Sequence, residues 1–173
     1  MSVVAAFSNV NFVRDQRPIL SDISWDVDSQ ERWVIVGPNG AGKTTLDHLA
    51  DSAIRTLSDG EKKRVQIARA VMTDPELLLL DEPAGSLDVG AREDVIEMLD
   101  HFASDPGSPA MVMVTHHVEE IPAGFTHLLV IAEGRIVGAG PIRDTLTGDV
   151  LSEAFGRPLS VTHNNGRYQA TAL

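Results

Sequence analysis

The stretch VIVGPNGAGKTTLDHLADSAIRTLSDGEKK, residues 34–63, decides how this chain must be read. It opens on an apolar, β-branched run, Val34-Ile35-Val36, which suits a buried strand. Gly37, Pro38, Asn39, Gly40, Ala41 and Gly42 follow as a loop whose backbone N–H groups can all point inward. Glycines permit that because a Cβ would block both the turn and the close approach of an anion. Lys43 then places a charge against the outer phosphates of a nucleotide, Thr44 offers a hydroxyl to Mg²⁺, and Thr45 comes next. After Gly42 the period changes: Leu46, Leu49, Ala50, Ala53, Ile54 and Leu57 recur at three- and four-residue steps, the pattern of one helix face. That helix adds the positive end of its dipole to the loop.

Ser58 and Glu61 form an S-x-x-E capping box that opens a second helix, with Val65, Ala68, Val71 and Met72 expected to face inward. Beyond it, LLLLDEP begins with four leucines, residues 77–80. A strand apolar on both faces suits the middle of a parallel sheet. It delivers Asp81 and Glu82 to the carboxyl edge, where ligands bind in such folds. There Asp81 can hold Mg²⁺ through water, and Glu82 can polarise an attacking water.

Around this centre the remaining elements fall into place. Residues 1–36 read as strands, with Ile19, Ser21, Ile23, Trp25 and Val27 alternating onto one face as an antiparallel layer. SLDVGAREDVIEMLDHFAS is another amphipathic helix with its entry, and AMVMVT a second buried strand ending at His116. Hairpins are expected at Glu133-Gly134 and Asn165-Gly166. The fold class expected is α/β: a phosphate-loop NTPase core with a mostly parallel sheet flanked by helices, plus an N-terminal antiparallel β-subdomain. The 173 residues are expected to form a single domain.

Composition narrows the function. A formal net charge of −11 argues against nucleic-acid binding, which needs a basic surface. The absence of cysteine excludes disulfides and thiolate zinc sites and suits a reducing, cytoplasmic setting. The strongest apolar runs are far too short to span a bilayer, so membrane association is expected to come through a partner.

Taken together, GPNGAGKTT, LSDGE followed by KKRVQIARAVM, LLLLDEP, AGSLD and VTHH resemble the nucleotide-binding domain of the ATP-binding cassette (ABC) family, in family order. The resemblance covers nearly the whole chain and implies a sandwich dimer, with itself or with a related subunit. Each ATP, with Mg²⁺, would lie between one subunit's phosphate loop and the other's signature loop. It implies that Ser58 and Gly60 touch the partner's γ-phosphate, with Asp59 standing where the family commonly has glycine. It makes Asp88 part of the loop that signals between sites, and His116 the switch residue against γ-phosphate and the catalytic Glu82. Adenine stacking falls at or near Arg14, whose flat guanidinium suits it; a surface arginine in a turn fits equally. A transmembrane permease partner is implied as well, and GRIVGAGPIRDTL resembles importer-type subunits.

One part of the family pattern is absent. A strand, a glutamine-bearing loop and a helical subdomain normally separate the phosphate-loop helix from the signature; here ten residues, 47–56, separate Leu46 from Leu57. Ten helical residues advance roughly 15 Å. Gln66 lies inside the second helix and does not substitute for the missing glutamine. Losing the strand is expected to leave a sheet edge uncovered. Two origins fit: a true deletion, or a segment of a longer protein that this chain does not include.

Overall fold

The structure, a computed structural model, describes residues 3–14, 17–37 and 58–173. The phosphate-loop residues Pro38, Asn39, Gly40, Ala41, Gly42, Lys43, Thr44 and Thr45, and the helix expected after them, lie outside the described residues.

Two long strands, β1 (Val3–Arg14) and β2 (Arg17–Asp28), pair antiparallel, and Arg14 stands at the turn opposite Arg17. A second sheet has five strands: β3 (Arg32–Val36), β4 (Leu77–Asp81), β5 (Ala110–Thr115), β6 (His127–Ala132) and β7 (Arg135–Pro141). Its order is β4-β5-β3-β6-β7, with the first four strands parallel and β7 returning antiparallel to β6. Glu133 and Gly134, both at positive φ, make the tight β6–β7 turn, as their chemistry predicts. A third sheet, β8 (Leu159–Asn164) and β9 (Arg167–Ala172), turns at Asn165-Gly166, also at positive φ.

The period of two along each strand builds two cores. Trp33, Val112, Leu129 and Ile131 project to one side and pack with Val27 of the N-terminal hairpin, so the antiparallel layer covers that face. Val34, Val36, Met111, Met113, Leu128 and Val130 project to the other side. There they meet α1 (Asp59–Val71), α2 (Val89–Ser104) and α4 (Gly148–Phe155) through Ile67, Leu99 and Leu151. A short helix, α3 (Ile142–Thr145), joins β7 to α4.

Two expectations fail here, and for related reasons. Of the four residues expected inward on α1 only Val71 packs against the core, with Ala70, beside the buried Gly60 and Ile67. Val65 and Ala68 are exposed, and Met72 is 85% exposed. The all-leucine strand is not central either. Among the described residues β4 is an edge of the five-stranded sheet, and Leu79 is 54% exposed. Apolar pattern records what a face is built to touch, and here the described residues do not supply the partner. Among the described residues no strand pairs with the outer side of β4.

Where α1 meets α2 the backbones approach closely. A Cβ built on Gly60 would stand 2.8 Å from the Ala91 Cβ, against about 3.5–4.0 Å for relaxed carbon contact. Gly60→Ala gains helix propensity worth at most about 1 kcal/mol, while overpacking costs about 1–3 kcal/mol. Gly60→Ala is therefore expected to lower the denaturant midpoint. Adding Ala91→Gly should recover most of the loss, and a double variant no better than the single would exclude this contact as its cause.

Candidate functional site

Parallel register brings three strand ends to one edge. Val36 pairs with Thr115, and Asp81 pairs with Val114. Gly37, Glu82 and His116 therefore leave three neighbouring strands at nearly the same level, at the carboxyl edge. The phosphate loop begins between β3 and its neighbours, and the acidic pair and the histidine stand beside its entry.

Glu82 is reached by an unusual backbone. Its N–H donates to the Val114 carbonyl at 2.8 Å, extending the ladder one residue past β4. Its φ is then +43°, a conformation costing a non-glycine residue roughly 1–2 kcal/mol. The bend takes the side chain across to β5, where Glu82 Oε1 lies 2.9 Å from His116 Nδ1. An ionised carboxylate only accepts, so Nδ1 carries the proton of this bond and Nε2 is left facing away from it. Both side chains keep partial solvent access, 27% for His116 and 37% for Glu82, as groups meeting a ligand require. The His117 ring packs against His116 at 3.9 Å between centroids, which limits where the first ring can swing.

A cleft of about 430 Å³ opens beside Glu82. Asp81 and Glu82 line one wall, and Asp59, Lys62, Lys63 and Gln66 of α1 line the other. Lys63 Nζ donates to the Glu82 carbonyl at 3.4 Å, tying the helix to the strained turn. Neither Lys63 nor Gln66 was legible as a site residue: each belongs to a helix whose docking against β4 is a long-range fact. The hard carboxylate oxygens of Asp81 are donor chemistry that suits Mg²⁺.

The signature segment forms the start of α1. Ser58 is its N-cap, accepting from the Glu61 N–H, while Glu61 Oε2 accepts from the Ser58 N–H at 2.9 Å and from its hydroxyl at 2.7 Å. Asp59 is held by Lys62 at 3.0 Å and sits in the first turn, where an acidic side chain complements the helix dipole. The Ser58 hydrogen bonds, side chain first and backbone second, hold the Glu61 carboxyl below its ordinary pKa. Because the folded value is depressed, Glu61 contributes stability above its unfolded pKa and loses it as pH falls through the folded value. Ser58→Ala removes the side-chain bond and keeps the backbone one, so it is expected to raise the Glu61 pKa part of the way toward the ordinary carboxylate range; a carbon-detected NMR titration showing no change would refute the side-chain bond as a cause.

Asp88 caps α2, accepting from the Ala91 N–H at 3.0 Å. It thus stands at the α1–α2 contact made by Gly60 and Ala91. Among the described residues no cluster of three or more metal-ligating side chains occurs, and no helix is long and apolar enough to cross a membrane.

The family model for ABC transporters matches residues 20–50 and 46–85, two pieces that meet at 46–50. The chain is 29% identical to the ABC transporter ATP-binding protein YlmA of Bacillus subtilis, over 95% of its own length and 96% of that protein's. Among solved structures, it matches an inward-facing ABC transporter at a TM-score of 0.80 and 16% identity, covering 99% of this chain and 98% of that one.

The chain is an ABC-type nucleotide-binding domain.

Other ABC proteins agree. Molybdenum import ATP-binding protein ModC of Pseudomonas savastanoi is 37% identical over 64% of this chain, which spans only 30% of the ModC length. The dimeric structure of a bacterial ABC transporter cassette matches at a TM-score of 0.64 and 16% identity, over 80% of this chain and 98% of that one. The YlmA comparison also measures what this ABC domain lacks. It runs over 252 positions against a chain of 173 residues, so at least 79 positions have no counterpart here. The family match breaks into two pieces at residues 46–50.

Proposed function

We propose that this ABC domain binds Mg-ATP and hydrolyses it at sites composed by two nucleotide-binding domains, in the service of a membrane transporter. The observation that carries the reading is the Glu82–His116 contact at the mouth of the phosphate loop. The backbone of Gly37, Pro38, Asn39, Gly40, Ala41 and Gly42 cradles the phosphates, Lys43 balances their charge, and Thr45 closes the loop. Thr44 and Asp81 would hold Mg²⁺, which when bound neutralises charge on the phosphate oxygens. Glu82 accepts the proton of the attacking water. His116, oriented through its Nδ1, offers Nε2 toward the γ-phosphate. Ser58 and Gly60, at the N-terminus of α1, contact the ATP of the partner domain, and Asp88 links the two sites. Arg14, at the hairpin turn, stacks on adenine.

The partner is a second copy or a related ABC subunit, and a transmembrane permease couples the pair to transport, at the cytoplasmic face. ModC is named for molybdenum import, and the C-terminal resemblance to importer-type subunits favours import here too. Phosphate release measured with Mg-ATP and with EDTA tests this directly. Magnesium-dependent release is expected; none at saturating ATP contradicts hydrolysis.

A second reading has its own observation. The two-piece family match and the ten-residue connection favour a nucleotide-binding module with little turnover, whose signature segment fails to reach the partner's ATP. Tight ATP binding with no phosphate release, unchanged by Glu82→Gln, is its expected signature.

A further inference from the structure

The turn that carries His116 contains a buried carboxyl group that the chemistry above does not use. Glu120 is 3% exposed and ends a single 3-10 turn, Val118–Glu120. Its Oε2 accepts a 2.6 Å hydrogen bond from the hydroxyl of Thr115, which is fully buried. The same hydroxyl oxygen accepts from the His117 N–H at 3.1 Å. The Glu120 N–H in turn donates to the His117 carbonyl at 3.2 Å. These three bonds close a ring around His116: the residue before it is held by the Glu120 carboxyl group, and the residue after it by the Thr115 hydroxyl and the Glu120 backbone. From the outside, β9 holds the same turn: the Ala170 N–H donates to Glu119 Oε1 at 3.3 Å, and the Arg167 guanidinium donates to the Glu119 carbonyl.

Burying a carboxyl group is costly unless its bonds are well made, and a single methyl-for-carboxyl change would leave the Thr115 hydroxyl without its acceptor. The consequence falls on a residue two bonds away. With the Thr115 rotamer and the His117 amide both fixed, the backbone at His116 has little freedom, so its ring stays within 2.9 Å of Glu82. We propose that Glu120, acting through Thr115, is a positioning residue that sets the His116 ring against Glu82. This rests on reading Glu82 and His116 as the hydrolytic pair. The position of Glu120, late in an acidic run after the histidine, gives no sign of this in the sequence.

Four variants test it: Glu120→Ala and Thr115→Val, which break the ring, and Glu120→Gln and Thr115→Ser, which keep an acceptor and a hydroxyl. Two readouts are taken on the whole chain: steady-state ATP hydrolysis, and nitrogen NMR of labelled histidine with His116 assigned by His116→Gln. The breaking variants are expected to lower kcat by about 10- to 100-fold with KM nearly unchanged, the scale of a small misplacement. The conservative variants should recover most of that loss. In the parent, Glu82→Gln should move the His116 Nδ1 resonance; in the breaking variants it should not. Thr115→Val, close in shape to the parent residue, serves if Glu120→Ala does not fold. If the parent shows no turnover, the hydrolytic reading fails, and the NMR comparison alone decides the positioning. An Nδ1 resonance that still responds to Glu82→Gln in the breaking variants overturns the proposal, as does an unchanged kcat, or a Glu120→Gln as impaired as Glu120→Ala.

Discussion

Replacing Lys43 with alanine is expected to abolish measurable ATP binding. Lys43 is the one fixed positive side chain of the phosphate loop, residues 37–45, where the other donors are backbone amides and hydroxyls. Removing it leaves the outer phosphates without their nearest full charge. At about 4 Å and an effective dielectric near 20, one charge pair is worth about 4 kcal/mol, or roughly a thousandfold in affinity. The described core clusters are apolar, so the loss of one charge is expected to leave the fold in place. Calorimetry on the variant is expected to show no saturable heat at ATP concentrations that saturate the parent. An unchanged affinity would refute the phosphate-loop assignment itself.

Glu82→Gln is expected to lower phosphate release by about 10²–10⁴-fold, the usual range for losing a general base, while ATP still binds. The substitution keeps shape and keeps an oxygen that accepts from His116 Nδ1, so the 2.9 Å contact and the strained backbone beneath it persist. What it removes is the ability to take a proton from water. The pairing of retained binding with lost turnover separates this outcome from misfolding, which would remove both. Equal rates in parent and variant would mean that Glu82 takes no part in the chemistry.

Much of the fold was legible because its signals are local. The β-branched run at Val34, the turn chemistry of Glu133-Gly134 and Asn165-Gly166, and the capping box at Ser58 each act within a few residues. Asp81, Glu82 and His116 were legible for a different reason: strand ends in a parallel sheet converge on one edge, so a motif at the end of each strand predicts proximity.

What failed depended on partners far along the chain. The apolar stripe of α1 at Val65, Ala68 and Met72 is real, but helical period alone cannot say which neighbour is present to cover it. Burial follows instead from the close approach of Gly60 to Ala91 and from Ile67 reaching the main core. The leucines of β4 mislead in the same way, since a strand built for a sheet interior lies here at an edge. Both exposures are exposures among the described residues, and the YlmA comparison runs over at least 79 positions that have no counterpart here. Lys63, Gln66 and the Thr115–Glu120 bond were invisible because each gains its meaning only after α1 docks or β5 turns.

The central claim is that two of these domains build each ATP site between them, and light scattering on the Glu82→Gln variant tests it most directly. Without nucleotide the chain should scatter at its monomer mass, 18.6 kDa. With saturating Mg-ATP, and turnover blocked, the account predicts a mass twice that value. A monomer mass at ATP concentrations where calorimetry shows full binding would contradict it.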